Sequence, residues 1–279
     1  MLVFAKIKSV KQKIASLDKG MTVGFVPTMG ALHQGHISLV HRARNENDFV
    51  VASIFVNPTQ FDNKEDLVNY PKTIDKDLQM LREAQCDLVF MPSSKEIYAD
   101  KISSEVFSFD GLEHEMEGKF RSGHFDGVGT IVKRLFEIVQ PDRAYFGEKD
   151  FQQLQIIKKM VQQQLLDVQI IPCDIFREND GLAMSSRNAR LSKEHREVAP
   201  LIFKVLKRVK RDIKTTALNT IKFNVETAFE KEPLLDLEYF EVAEETTLKS
   251  VTEIDSELKY RAFIAVFAGE VRLIDNIGV

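Results

Sequence analysis

One stretch constrains this chain more than any other: Pro27-Thr28-Met29-Gly30-Ala31-Leu32-His33-Gln34-Gly35-His36. Thr22-Val23-Gly24-Phe25-Val26 precedes it, a short apolar run of the kind that makes a buried strand. Ile37, Leu39, Val40 and Ala43 follow at helical spacing. The order is strand, glycine-bearing turn, helix. Such a turn aims a helix N-terminus at whatever binds there, and its N–H groups and dipole favour a phosphate. Gly35 between His33 and His36 lets a ligand approach the backbone. Imidazoles at this spacing can both reach one polyphosphate and donate to charge developing on a transferring phosphoryl group. The same residues also read as a structural pair in a surface turn. Zinc fits less well: no third or fourth ligand lies nearby in sequence, and His-Gln-Gly-His lacks the glutamate of the helical zinc motif.

The chain has 279 residues, enough for two modest domains with real cores. Its net charge of −4 argues against a protein whose main business is gripping nucleic acid. Cys86 and Cys173 are its only cysteines, which fits a reducing compartment and excludes a disulfide framework. Met1 to Lys6 is too short and too soon charged for a signal peptide, and no apolar run approaches a membrane span. The expectation is a cytoplasmic protein with no nucleic-acid or membrane partner.

Taken in order, Ile7 to Lys19 reads as a helix with Gly20 as its stop. Phe49 to Val56 is a near-continuous apolar run that suits a parallel strand buried on both faces. Asn57-Pro58-Thr59-Gln60-Phe61 ends it, placing polar groups at the sheet edge where ligands bind in such folds. The charged run Asp62 to Asp66 is expected to be mobile. Lys72 to Gln85 predicts a helix with Ile74, Leu78 and Leu81 inward, and Cys86 to Met91 and Glu105 to Phe109 predict strands. Phe120 to Gly129 is a glycine-rich segment carrying Arg121 and His124, followed by an apolar-faced helix. Ala144 to Gly147 predicts a strand that hands Lys149 and Asp150 to the next helix. Lys149 can serve as a point charge for phosphate or be a solvated surface lysine, and Asp150 can be only an N-cap. Val168 to Pro172 predicts a strand, and Arg177 to Asn188 a polar loop that is both linker and phosphate binder. Val198 to Ile213 predicts an amphipathic helix, whose basic outer face from Lys204 to Arg211 reads as a solvated face. A helix over Leu218 to Lys231 and strands at Leu237–Val242, Arg261–Phe267 and Val271–Ile274 complete the chain. The alternation predicts an α/β fold: a Rossmann-like doubly wound parallel sheet over residues 1–175, with a smaller α+β C-terminal domain over 176–279.

His-x-Gly-His after a first strand resembles the signature of the nucleotidyltransferase superfamily, and the fuller string from Pro27 to His36 resembles the pantothenate synthetase (pantoate–β-alanine ligase) family. Three further stretches match that family in order and spacing: Ser53 to Phe61, Phe146 to Leu154 and Asp180 to Asn188. The resemblance implies ATP-dependent condensation of (R)-pantoate with β-alanine through a pantoyl adenylate, giving pantothenate, AMP and pyrophosphate. It implies that Met29, Gly30, Ala31, Leu32, His33, Gln34, Gly35 and His36 line ATP. His33 and His36 would act on its phosphates, with His36 a proton donor. Gly147, Glu148, Lys149 and Asp150 would hold ATP, Lys149 at phosphate and Asp150 at ribose. Phe176 would contact adenine through its backbone. Met184, Ser185, Ser186 and Arg187 would close over the phosphates. Gln60 and Gln153 would hold pantoate. The resemblance also implies magnesium with the ATP, its protein ligands unassigned, and a homodimer. Ser122 stands where that pattern has proline after the arginine, so no role rests on Arg121. Another adenylyltransferase with a different acceptor is the competing enzyme reading. A nucleotide sensor without catalysis is the competing reading of another class, against which Lys149 and the serine–arginine loop both stand.

Overall fold

The computed structural model describes residues 1–61, 67–68, 70–99 and 101–279. The charged run Asp62 to Asp66 therefore lies outside the described residues. The chain divides into two compact units, one of Met1–Glu148 with Gln152–Asp174, the other of Lys149–Phe151 with Ile175–Val279.

The first unit is built on a parallel sheet because its strands are short apolar runs, each separated from the next by helix or long connection. The strands are β1 (Leu2–Phe4), β2 (Val23–Thr28), β3 (Phe49–Ile54), β4 (Leu88–Phe90), β5 (Arg143–Gly147) and β6 (Gln169–Cys173), in the order β1-β4-β3-β2-β5-β6. Helices α1 (Ile7–Ala15), α2 (Gln34–Glu46), α3 (Ile74–Glu83), α4 (Ser94–Tyr98), α5 (Glu117–Phe120), α6 (His124–Val139) and α7 (Phe151–Gln163) connect or follow them. Side chains alternate across the pleat. On one face Val26, Val50, Ala52, Val89 and Tyr145 form a core with Ile37, Val40 and Ala43 of α2 and Leu81 of α3. On the other, Phe136 of α6 meets Phe25 edge-on at 6.2 Å and Phe146 at 6.4 Å. Helices thus cover both faces, which is the doubly wound arrangement that the sequence predicts. The strand order turns back at β2, with β3 on one side and β5 on the other. The carboxyl ends of β2 and β5 therefore flank the switch point where open parallel sheets bind ligands.

The second unit has an antiparallel sheet of β7 (Leu235–Glu244), β8 (Tyr260–Ala268) and β9 (Val271–Gly278). Helices α8 (Lys193–Val198), α9 (Leu201–Asp212) and α10 (Leu218–Glu230) precede it. Ile202, Val205, Leu206 and Val209 of α9 and Ile221, Val225 and Phe229 of α10 share a core with Ile264 and Val266 of β8. Lys204, Lys207, Arg208, Lys210 and Arg211 are exposed on the opposite face of α9, as 3.6-residue periodicity requires.

Three local expectations are corrected. Glu105 to Phe109 is not a strand. Its backbone is captured by side chains of α6 instead: Glu105 N–H donates to Thr130 Oγ1 at 2.8 Å and Phe107 N–H to Asp126 Oδ1 at 3.0 Å. Ile74 is not inward but 47% exposed, and Asp77, one turn on, is buried in its place. The single helix expected from Val198 to Ile213 begins only at Leu201, after Pro200 breaks it from α8. An addition is Leu2 to Phe4, for which no element is expected and which forms an edge strand paired with β4. Among the described residues no helix is long and apolar enough to cross a membrane.

Candidate active site

The turn after β2 is built around a carboxylate that arrives from far along the chain. Gly30 and Ala31 both take positive φ, +84° and +49°. For alanine this left-handed conformation costs about 1–2 kcal/mol, so something must hold it. Asp77, 1% exposed in α3, accepts from Ala31 N–H at 2.9 Å and from Leu32 N–H at 2.8 Å. Thr73 Oγ1 adds a third donor at 2.9 Å. Gly30 N–H goes to Thr28 Oγ1 at 3.2 Å, and that hydroxyl donates to Ser53 C=O at 2.7 Å. A Cβ on Gly30 would lie 3.1 Å from Asp77 Oδ2 and from Ile54 Cγ2, so bulk as well as φ favours glycine there.

Beyond the turn the two histidines start the helix. His33 is the N-cap of α2, and its Nδ1 accepts from Gly35 N–H at 3.1 Å. His36 Nδ1 reaches back to accept from His33 N–H at 3.3 Å. This is a capping box with imidazoles in place of the usual hydroxyl and carboxylate. Each Nδ1 is an acceptor, so each neutral ring carries its proton on Nε2. The rings lie 4.0 Å apart between centroids, tilted by 39°. The sequence places both histidines on the turn; their tautomers follow only from the bonds.

The end of β3 supplies a second polar group beside it. Gln60 Nε2 lies 2.9 Å from Met29 Sδ, and its Oε1 accepts from Asn57 Nδ2 at 3.2 Å. Asn57 is 1% exposed and fixed in orientation. Its Oδ1 takes Tyr98 O–H at 2.5 Å and Thr59 Oγ1–H at 3.1 Å, while its Nδ2 also donates to Gly127 C=O at 3.1 Å. The chain of donors thus sets Gln60 with its amide N–H₂ toward Met29. Gln60 C=O is gripped by His124 Nδ1 at 2.8 Å and Arg121 Nη2 at 3.4 Å. Arg121 and His124 therefore act on the backbone of the Gln60 turn. Burial raises the Tyr98 phenol above its ordinary value, which keeps it a donor. Gly147 ends β5 at the same sheet edge. Gln153 is half-buried in the first turn of α7. Its neighbour Gln152 is 4% exposed and fully engaged, accepting from Glu117 N–H at 3.0 Å and donating to Leu112 and Glu115 C=O at 2.8 and 2.7 Å. Of the glutamine pair, Gln152 is a structural strut.

The second unit carries the remaining candidates. Lys149 C=O accepts from Asn276 Nδ2 at 2.9 Å, and Asn276 Oδ1 in turn accepts from Arg261 at 2.6 Å. Lys149 Nζ lies 3.8 Å from Asp150, which is exposed. Phe176 is 41% exposed, and its C=O accepts from Met184 N–H at 3.0 Å, tying the two ends of a polar hairpin. Ser185 caps a short 3-10 turn over Ser186–Arg190, its Oγ accepting from Arg187 N–H at 3.3 Å. Arg177 anchors the hairpin's base with a fork on buried Asp275 at 2.6 and 2.9 Å, and stacks on Phe203 at 3.7 Å. Arg196 braces its tip against Glu178 and Asp180, both at 2.6 Å. Burial works to raise the Asp180 carboxyl, but Arg196 and the Leu182 N–H more than offset it and hold the group below 3.8.

The sequence reading gives no site role to Asp77, Tyr98 or Asp275, and places Asn57 and Arg177 only within polar segments. Asp77 reads in sequence only as an acidic residue in a helix's first turn, and nothing in spacing ties it to the histidine turn. Among the described residues no group of three or more His, Cys, Asp and Glu side chains could hold a metal ion.

A doubly wound sheet with a histidine-bearing turn at its switch point defines a nucleotide-handling α/β enzyme class. The sequence profile of the pantoate-beta-alanine ligase family matches residues 2–278. The pantothenate synthetase of Christiangramia forsetii is 51% identical over 96% of this chain and 94% of its own length. That of Bacteroides fragilis is 50% identical over 99% of this chain and 98% of its own. Among solved structures, the pantothenate synthetase of Thermus thermophilus superposes with a TM-score of 0.92 at 40% identity, covering 99% of both chains. The pantoate-beta-alanine ligase of Francisella tularensis, solved with Beta-gamma ATP and Beta-alanine, gives 0.82 at 36% identity, covering 100% of this chain and 97% of that one. The chain belongs to the pantoate-beta-alanine ligase family, as an ATP-dependent enzyme that condenses pantoate with β-alanine.

Proposed function

We propose that the reaction runs in two displacements and that the residues described above divide the work. A pantoate carboxylate oxygen attacks the α-phosphorus of ATP, a new O–P bond forms, and the bond to pyrophosphate breaks. The amine of β-alanine then attacks the acyl carbon. The bond to AMP breaks, AMP leaves, and the amine proton is lost to solvent. Little covalent catalysis is available to a protein in such a displacement, so its task is alignment and charge neutralisation.

The observation that carries this reading is the pair of imidazoles, each held through Nδ1 so that Nε2–H is the donor. His33 and His36 donate these protons to phosphate oxygens as charge builds, with His36 the proton donor to the leaving pyrophosphate. Met29, Gly30, Ala31, Leu32, Gln34 and Gly35 shape the nucleotide side of the turn. Since Asp77 takes the Ala31 and Leu32 N–H groups, the imidazoles and the helix dipole supply the attraction for phosphate there. Gln60 offers its N–H₂ to pantoate, and Gln153 adds a second neutral amide suited to a hydroxyl or carboxylate. Lys149 neutralises phosphate and Asp150 accepts from ribose, and Gly147 and Glu148, just before them in the chain, also serve ATP. Phe176 borders adenine, and Met184, Ser185, Ser186 and Arg187 cover the phosphates.

Magnesium would accompany the triphosphate. Among the described residues the donor set fits a cation carried mainly on phosphate oxygens, as magnesium commonly is. It would neutralise phosphate charge, and we assign it no protein ligand. Residues 1–175 and 176–279 are read as the two functional domains, the second as a lid, in a cytoplasmic homodimer.

The test is a partial reaction. With pantoate, ATP and magnesium but no β-alanine, the enzyme exchanges labelled pyrophosphate into ATP; with β-alanine in place of pantoate it does not. Label from pantoate carboxylate oxygen appears in AMP. Label in free phosphate, with ADP as co-product, would mean an acyl phosphate instead and would defeat the adenylate reading.

A further inference from the structure

We propose that Asp77 is a positioning residue for catalysis: its buried carboxylate holds the Gly30–Leu32 turn so that His33 and His36 are both kept as Nε2–H donors. The inference rests on the ligase reading for its kinetic consequence but not for its structural one.

After Gly30 and Ala31, both at positive φ, the turn presents the successive N–H groups of Ala31 and Leu32 to one side, a concavity that ordinarily collects an anion. Here the anion is the protein's own. Asp77 Oδ2 takes Ala31 N–H and Oδ1 takes Leu32 N–H, so both oxygens are engaged by the turn itself. Thr73 Oγ1 donates to Oδ1 as well and fixes the carboxylate's rotation. A metal role would require oxygens turned to a cation, whereas here each faces an N–H or O–H donor. The residue after Leu32 is His33, whose N–H must reach His36 Nδ1 and whose ring must reach Gly35 N–H. Both bonds depend on where the backbone leaves Leu32. Without the carboxylate, Ala31 would relax from its strained left-handed conformation, and the capping box would lose its geometry. The rings would then populate both tautomers, and the donor edge would be present only part of the time.

Asp77→Asn tests this, because the amide keeps the volume but offers an N–H₂ where the turn offers N–H. Leu81→Ala in the same helix is the control for stability, since Leu81 is wholly buried and is not in the hydrogen-bonded clamp. Each variant is assayed well below its own melting temperature. Asp77→Asn is expected to slow pantoate-dependent pyrophosphate exchange by about 100-fold, the cost of misplacing reacting groups by roughly an ångström, with pantoate KM unchanged. Leu81→Ala is expected to stay within about threefold of wild type. The second readout needs no substrate: long-range proton–nitrogen correlation spectra of the imidazoles. The wild type should show His33 and His36 protonated on Nε2, and Asp77→Asn should shift both toward mixed tautomers. Unchanged tautomers, or equal rate losses in the two variants, would overturn the proposal. Recovery of the Asp77→Asn rate by added magnesium would assign the carboxylate to the metal and overturn it too. Wild-type enzyme that fails to exchange pyrophosphate would sink the ligase reading while leaving the tautomer result to judge Asp77.

Discussion

The histidine turn and the Phe176–Arg190 hairpin are both held by carboxylates, but in different ways. In the turn, Asp77 is buried and bonds backbone N–H groups directly, so the backbone itself is pinned. In the hairpin, carboxylates meet arginine side chains. The base has a buried fork from Arg177 to Asp275, and the tip has exposed or half-exposed pairs from Arg196 to Glu178 and Asp180. Backbone pinning fixes atoms to a fraction of an ångström. Long side chains at a surface leave the segment room to yield. On the proposed reading, a group that must donate at one fixed point suits the first kind of support, and a loop that must yield suits the second.

The contrast is broken most severely at the hairpin's base. Asp275→Ala leaves Arg177 with its partner removed and should cost about 3–5 kcal/mol of stability, read by chemical denaturation. A loss under about 1 kcal/mol would rank this pair with surface ion pairs and erase the distinction between base and tip. At the turn, His36→Ala should slow pantoate-dependent pyrophosphate exchange by roughly 100- to 1,000-fold with unchanged circular dichroism. His33→Asn separates the two jobs of an imidazole, because asparagine is a good N-cap but has no Nε2–H. Stability should hold while the rate falls; a wild-type rate would make His33 a cap only.

Smaller effects sharpen the comparison. Gln60→Ala should weaken pantoate by about 1–3 kcal/mol and leave ATP binding alone, measured by titration of each substrate. A loss confined to ATP would mean that the amide serves the nucleotide. The smallest effect belongs to the tip, where Arg196→Ala should cost about 0–1 kcal/mol of global stability yet open the hairpin to protease. Acid should do the same. The Asp180 carboxyl is held below 3.8 in the folded chain, so its contribution is present above that pH and is lost as pH falls through the folded value. Pepsin digestion from about pH 5 to about pH 3 should cut at 178–190 before 28–36. Simultaneous cutting would show the two segments to be equally held.

Local patterning specifies the parts of this fold that repeat or that cluster. Apolar runs at Val23–Val26, Phe49–Ile54 and Ala144–Phe146, divided by helical periodicity, specify a parallel sheet because each local backbone form imposes its own period on burial. The histidine turn and the serine–arginine loop stand out as candidates because their polar groups are contiguous in the chain. Glu105 to Phe109 misled because its apolar alternation fits a strand, whereas Thr130 and Asp126 supply the partners a neighbouring strand would have given. It takes the folded chain to reveal that Asp77 clamps Ala31 and Leu32, that Tyr98 orients Gln60 through Asn57, and that Asp275 anchors Arg177. Each is a single polar residue satisfied by a partner distant in sequence. Burial makes such a bond obligatory, but one residue has no period, and its need for a partner does not reveal where along the chain that partner lies.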